Sequence, residues 1–194
     1  METLTNSQPV FEEFNKIARL RRECVITEKI DGTNGQIYIT ESGDMFVGSR
    51  NRWLSEASDN FGFYKWAMGH KEMLLTLGPG RHYGEWWGAG IQRGYDQKEK
   101  HFSLFNTSRW NSITPPPLCC LVVPVLYTGI FNTGDCCFWI QTLQILGSYA
   151  APGFMNPEGI VVYHTAARVY FKNTILNDEQ PKSYANQRKS TQPS

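Results

Sequence analysis

The sequence predicts an α+β fold, mainly antiparallel sheets with flanking helices. Three observations carry that prediction. Short runs rich in β-branched and aromatic residues recur between clusters of Gly, Asn, Asp and Pro, which is the pattern of strands joined by tight turns. Only a few stretches repeat apolar residues at helical spacing. Finally, 194 residues and 22.2 kDa with 41% hydrophobic and 13% aromatic residues suffice for one well-filled core, and no internal repeat divides the chain.

The elements follow in order. Phe11, Phe14, Ile17, Ala18 and Leu20 recur at near-helical spacing and predict a short amphipathic helix over Phe11–Leu20. Cys24–Ile30 and Gln36–Thr40 read as strands separated by the turn formers Asp31-Gly32-Thr33-Asn34-Gly35, and Ser42-Gly43-Asp44 leads into a third strand, Met45–Ser49. Phe63, Trp66, Ala67, Leu74 and Leu77 approximate one helical face, so a helix is expected over Asp59–Leu77, with Ser58 or Asp59 as N-cap and Gly78-Pro79-Gly80 as its stop. His82–Trp86 and His101–Asn106 read as strands on either side of a Gly-rich loop reaching Gly94. After Pro115-Pro116-Pro117, the apolar run Leu118–Leu126 is expected to be a central strand with Pro124 near its end. A helix over Asp135–Leu146 closes at Gly147, and Gly159–His164 with Arg168–Thr174 forms a hairpin across Thr165-Ala166-Ala167. The polar stretch Asn177–Ser194 reads as a fraying tail.

Composition excludes several classes. Leu118–Leu126 falls far short of the ~20 apolar residues that span a bilayer, so no membrane partner is expected. Met1–Asn15 lacks an apolar signal region, which leaves a cytoplasmic location as the expectation. Five cysteines without C-x-x-C spacing suggest buried reduced thiols, not a disulfide framework or a zinc site. A formal charge of +1 means that any nucleic-acid partner must be held by a local basic patch.

Four charged residues break the apolar pattern of predicted strands. Lys29 ends one strand and opens onto a Gly loop, where a lysine can serve as a nucleophile; the competing reading is a solvated lysine at a surface turn. Glu85 lies inside His82-Tyr83-Gly84-Glu85-Trp86-Trp87-Gly88, where a carboxylate needs a metal, a cation or a ligand hydroxyl as partner. Glu158 stands at the mouth of Gly159-Ile160-Val161-Val162, and Lys172 lies within Tyr170-Phe171-Lys172-Asn173. Together they suggest a shared phosphate-handling site, with Lys29 and Lys172 facing phosphate and Asp31, Glu85 and Glu158 facing Mg²⁺ or its waters. Neither a P-loop nor a G-x-G-x-x-G fingerprint is present.

The order K-x-D-G at Lys29, Ser49-Arg50, Gly84-Glu85, an aromatic strand ending in Phe105, Glu158-Gly159 and a final Lys172 resembles the covalent nucleotidyltransferase superfamily of ATP-dependent ligases and capping enzymes. Thr27-Glu28-Lys29-Ile30-Asp31-Gly32-Thr33-Asn34 is most similar to the motif of type-2 RNA ligases, and Glu85–Tyr95 resembles phage-borne members. The resemblance runs from about residue 11 to 182. It implies a nucleotidyltransferase (ATP-grasp-like, ligase adenylation) domain over residues 1–182 and a polar tail over 183–194. Only 22 residues (194 − 172) follow Lys172, so no C-terminal clamp or OB domain is expected.

The resemblance also implies roles, one position at a time. Lys29 matches the nucleophile that attacks the α-phosphate of ATP, expels pyrophosphate and becomes lysyl-AMP. Glu28 matches a residue whose backbone helps read the adenine edge, and Asn34 and Arg50 match ribose and phosphate contacts. Phe105 matches the aromatic that stacks on the base, with Phe102 as the alternative. Asp31, Glu85 and Glu158 match carboxylates that hold hydrated Mg²⁺ or Mn²⁺, Glu85 also being a candidate for the ribose hydroxyls, and Lys172 matches the lysine on the α-phosphate. Such chemistry needs an unprotonated amine, and a lysine at its usual pKa of about 10.4 keeps its proton at neutral pH, so nearby cations must help remove it. Many relatives carry a second lysine two residues earlier, where this chain has Tyr170, and Arg168 or Lys182 stands near enough in sequence to compensate. The implied activity is sealing of RNA 5′-phosphate and 3′-hydroxyl ends, with DNA or an accessory protein as further partners, in a host-cell cytoplasm if the chain is phage-encoded. Two other readings stay open: a DNA ligase of the same superfamily, and a nucleotide- or RNA-end-binding module without turnover.

Overall fold

The computed structural model describes residues 10–176 and residue 178. The chain runs β1 (Glu23–Lys29), β2 (Thr33–Ile39), β3 (Met45–Ser49), α1 (Phe63–Gly69), α2 (Lys71–Leu75), β4 (Gly80–Gly88), β5 (Lys100–Leu104), β6 (Leu121–Val122), β7 (Val125–Ile130), α3 (Thr133–Leu146), β8 (Gly159–His164) and β9 (Val169–Thr174). These strands form two sheets, a four-stranded one in the order β7-β1-β8-β9 and a five-stranded one in the order β3-β2-β4-β5-β6. All pairings are antiparallel except β5 with β6. The fold is α+β, as the strand and turn pattern predicts.

Period-two alternation assigns each sheet one buried face. In the four-stranded sheet, Cys24, Ile26, Ile160 and Val162 pack against Cys136 and Leu143 of α3. In the five-stranded sheet, Ile37, Ile39, Val47, Trp86 and Phe102 pack against Phe63 and Ala67 of α1 and Leu74 of α2. A third cluster of Ile30, Trp87, Tyr95, Val123, Ala151 and Phe154 fills the place where β1 leaves one sheet and β2 joins the other. The opposite faces of β1 and β2 are partly open, and the loop between them, Ile30–Gly32, forms the seam on which the candidate site is built.

Several expected elements take a different form. Phe11–Leu20 is not helical: Phe11 is 86% and Ile17 90% exposed, and a ten-residue helix with no surface to bury its apolar side does not hold in water. The expected helix over Asp59–Leu77 is two short helices, broken at His70, whose ring Nδ1 lies 2.8 Å from the Trp66 carbonyl. Asp59 does serve the start of α1, its carboxylate accepting from the amides of Tyr64 and Lys65 at 2.7 and 3.2 Å.

Leu118–Leu126 is not one central strand. Leu121–Val122 closes the edge of the five-stranded sheet and Val125 begins the edge of the other. Pro124, which has no amide to donate, marks the crossing, and its carbonyl accepts from Glu28 N–H at 3.0 Å beside a register shift between Ile26 and Thr27. The cysteines are all unbridged, but not all buried: Cys119 is half-buried and Cys137 exposed on α3. The expected tail at 177–194, with Lys182, lies outside the described residues apart from Asp178.

Candidate active site

Lys29 is the last residue of β1, and alternation turns its side chain to the open face while Glu28 and Ile26 face the core. Its Nζ donates to Glu158 Oε2 at 2.6 Å, an ion pair across 129 residues of sequence. The pairing Lys29↔Gly159 explains the meeting, because Glu158 immediately precedes the strand partner of Lys29. Glu158 itself is buried.

Glu85 approaches from the other sheet. It is the cross-strand partner of Asn34, and its Oε1 accepts from Gly32 N–H at 3.0 Å while Oε2 accepts from Asn34 Nδ2 at 3.3 Å. Gly32 is required for this approach. A Cβ at that position would stand 2.4 Å from the Trp86 carbonyl oxygen and 2.8 Å from Trp87 Cβ, so any larger residue pushes the loop off β4. Burial raises the Glu85 carboxyl from its ordinary 4.5 to about 7; Lys29 and the Gly32 amide lower it, and Glu158 and Asp31 add repulsion. Lys29, Asp31, Glu85 and Glu158 thus form one electrostatic group.

Asp31 is fixed from two sides. Its carboxylate pairs with Arg93, Nε to Oδ2 at 3.0 Å, and its backbone N–H donates to the Tyr95 hydroxyl at 2.8 Å. Tyr95 reaches it from a turn in which both Tyr95 and Asp96 adopt left-handed backbone, with φ of 52° and 53°. Burial raises the Tyr95 phenol well above its usual range, so it stays protonated. Arg93 Nη1 also donates to the carbonyls of Asn156 and Pro157, each at 2.9 Å. One guanidinium therefore ties the Asp31 loop to the segment that delivers Glu158. The sequence shows Arg93 only as one basic residue among several, and nothing in it distinguishes the Tyr95 contact.

The remaining expected residues are placed less uniformly. Lys172 pairs with Val161, which pairs with Thr27, and this register puts Lys172 on the same face as Lys29 and exposed. Arg50 is exposed, one residue beyond the Gly35↔Ser49 pair at the end of β3. Phe105 is half-buried against the seam cluster, its amide bonded to the Tyr83 carbonyl at 2.9 Å. Phe102 is excluded as the alternative base platform because it is fully buried on the other face, 4.9 Å from the Phe63 ring centroid.

The Glu28 side chain does not reach the site. It is buried beneath β1, where Oε1 accepts from Ser148 Oγ at 2.6 Å and Oε2 from the amides of Tyr149 and Ala150 at 2.8 Å. Burial raises its carboxyl and those three bonds lower it. Among the described residues, no three His, Cys, Asp or Glu side chains converge as a direct metal cluster, and no helix is long and apolar enough to cross a membrane.

Comparison with known proteins bears on the fold and the family. Among solved structures, the chain is similar to an apo lysine-to-alanine variant of Naegleria gruberi RNA ligase, with a TM-score of 0.58, 20% identity and coverage of 89% of this chain and 53% of the other. A second lysine-to-alanine variant of the Naegleria gruberi enzyme with ATP and Mn gives 0.58 at 18% identity, covering 89% and 52%. A glutamate-to-alanine variant with AMP and Mn gives 0.58 at 20%, covering 88% and 53%. The chain therefore spans about half the length of these relatives, and they share its fold. No curated protein sequence matches it. The RNA ligase profile matches residues 22–176, from just before β1 to just after β9 and so through every strand that carries the site. On that match the chain belongs to the RNA ligase family.

Proposed function

We propose that this chain is the adenylation module of an ATP-dependent RNA ligase, with Lys29 as its nucleophile. The carrying observation is the 2.6 Å contact between Lys29 Nζ and Glu158 at the seam of the two sheets, within the group completed by Glu85, Asp31 and Asn34. In the first step the Lys29 amine, having released its proton, attacks the α-phosphorus of ATP. A P–N bond forms, the bond to the bridging oxygen breaks, and pyrophosphate leaves with that electron pair. AMP then passes to a 5′-phosphate end of RNA, and a 3′-hydroxyl displaces it to form the phosphodiester.

The chain's own residues supply positioning and charge. Glu158 holds the amine at the end of β1 until nucleotide arrives. Asn34 and Glu85 present hydrogen-bonding groups for the ribose, Arg50 and Lys172 supply cations for phosphate, and Phe105 offers a ring on which the base can stack. The Glu28 backbone lies at the same strand end, while its carboxylate acts beneath the sheet. The donor set suits a hydrated divalent ion held by Asp31, Glu85 and Glu158 through water, since these carboxylates do not converge directly. When bound, such an ion supplies positive charge for the α-phosphate and the leaving pyrophosphate. Arg93 keeps Asp31 and the Glu158 segment in register. We read residues 1–182 as this module and RNA repair in an ATP-supplied cytoplasm as its setting, the motif around Lys29 resembling that of type-2 RNA ligases and Glu85–Tyr95 that of phage-borne members.

The test is intact-mass analysis before and after incubation with ATP and Mn²⁺ or Mg²⁺, with peptide mapping of the adduct. The expected outcome is one AMP increment on Lys29 that pyrophosphate removes and that Lys29→Ala abolishes. Folded protein, not already adenylylated, that forms no adduct would sink the autonomous reaction and leave a binding module.

A further inference from the structure

The open face of the five-stranded sheet carries a second feature beyond the nucleotide site. Alternation along β2 puts Asn34, Gln36 and Tyr38 on this face. Their partners on β4 are Glu85, Tyr83 and Arg81, and on β3 Gly48 faces Gln36 and Phe46 faces Tyr38. A continuous track thus leads from Glu85 to an aromatic cluster at the outer end. The four residue steps from Asn34 to Tyr38 span roughly 13 Å, room for a few bases at the ~3.4 Å stacking repeat.

The cluster is made of rings that the fold itself does not need to expose. Tyr38, Phe46 and Trp53 lie with centroids 5.8–6.3 Å apart, and Phe46, Trp53 and Tyr83 are 47%, 48% and 52% exposed. Gly48 lets Trp53 lie close to the sheet, because a Cβ there would stand 2.9 Å from Gln36 Cγ and 3.1 Å from the indole. The Arg81 guanidinium sits 4.3 Å above the Tyr38 ring and 5.5 Å from that of Trp53, held by a 3.1 Å bond to Gln36 Oε1. Tyr83 joins the cluster to the nucleotide site through its carbonyl, which accepts from the Phe105 amide.

We propose that this face is a stacking platform for a single-stranded segment of the RNA, next to the end being joined. The proposal rests on the ligase reading for the identity of the strand. Three observations favour nucleic acid over a protein partner. The exposed rings are joined by a guanidinium and an amide, which complement a polyanion with aromatic bases. Tyr83, 52% exposed and paired with Gln36, extends the exposed rings from the Tyr38, Phe46 and Trp53 cluster toward Glu85. The track is continuous with the site that RNA ends must reach.

The test combines two readouts on the full chain, AMP attachment to Lys29 by intact mass and affinity for a 5′-phosphorylated single-stranded RNA 12-mer by fluorescence anisotropy. Trp53→Ala and Tyr38→Ala are each expected to lower RNA affinity roughly tenfold while AMP attachment stays within about twofold; Trp53→Phe restores most of the loss. RNA lacking bases near its 5′ end should bind the wild-type protein as weakly as intact RNA binds Trp53→Ala, with no further loss when the two changes are combined. Unchanged RNA affinity in both alanine variants, or no RNA affinity in the wild type, overturns the platform. A dimer in sedimentation that Trp53→Ala splits without changing RNA affinity assigns the face to a second copy and also overturns it. A platform loss in protein that never takes up AMP supports the stacking face and counts against the ligase reading instead.

Discussion

Arg93 shows how much of the site depends on a residue outside the reacting group. Its guanidinium spends Nε on Asp31 and Nη1 on the two carbonyls that precede Glu158. A lysine can satisfy one of these contacts at a time but not the planar fork. Arg93→Lys and Arg93→Ala should both leave the fold intact and slow AMP attachment about tenfold and a hundredfold respectively, read from single-turnover adduct formation. A positioning role predicts that kcat falls more than KM rises. Equal rates for the wild type and Arg93→Ala would show that Asp31 and Glu158 hold their places without it. The residue types were legible at Lys29, Glu85 and Glu158, because a charge inside an apolar strand is conspicuous. Arg93 and Tyr95 were not, because each lies in a polar Gly-rich loop where charge and hydroxyl are ordinary, and only the tertiary approach of residues 31, 93 and 157 gives them partners.

Glu28 makes the corresponding point for elements. It sits one residue before Lys29, yet strand alternation turns it under the sheet to collect Ser148 Oγ and two amides from the turn after α3. It links β1 to the end of α3, and thereby holds the strand that presents Lys29. Glu28→Ala leaves these three donors, one buried and two part-buried, without an acceptor and should cost about 3 kcal/mol in urea unfolding. Glu28→Gln keeps one acceptor and should cost less. A cost below about 0.5 kcal/mol for Glu28→Ala would show that water replaces the carboxylate. The end of α3 was readable from Gly147, but its start at Thr133, two residues before the expected Asp135, is set by the Asn132 cap, whose Oδ1 accepts from Asp135 N–H at 2.8 Å. Phe11–Leu20 carried a similar apolar spacing without a surface to pack on. Periodicity states which side of a helix could be buried, not whether anything buries it.

At the scale of the molecule, two sheets bring acids together at a half-buried seam, and the protein carries the electrostatic cost in its pH dependence. Glu85 has its carboxyl raised from 4.5 to about 7, chiefly by burial, and Glu28 is raised as well. A raised carboxyl favours the folded state in its neutral form. That contribution is complete below about pH 4.5 and is lost as the pH climbs through about 7, amounting to on the order of 3 kcal/mol at most for Glu85. Thermal unfolding should accordingly give a higher midpoint at pH 5 than at pH 8, and Glu85→Gln should flatten most of that difference. An unchanged pH slope in Glu85→Gln would assign the dependence elsewhere.

The sequence by itself determined the fold class, most strand positions, the family resemblance and the lysine and acids that meet at the seam, because these depend on local pattern: alternation, turn formers and ions set in apolar runs. Tertiary structure decided the rest. It split Leu118–Leu126 between two sheets at Pro124, turned Glu28 away from the open face, paired Lys29 with Glu158, gave Asp31 to Arg93 and Tyr95, and left Tyr38 and Trp53 beneath Arg81, with Phe46 beside them, on an open face. Each of these depends on which strands become neighbours, a long-range choice made by burial of whole faces that no local window of the chain contains.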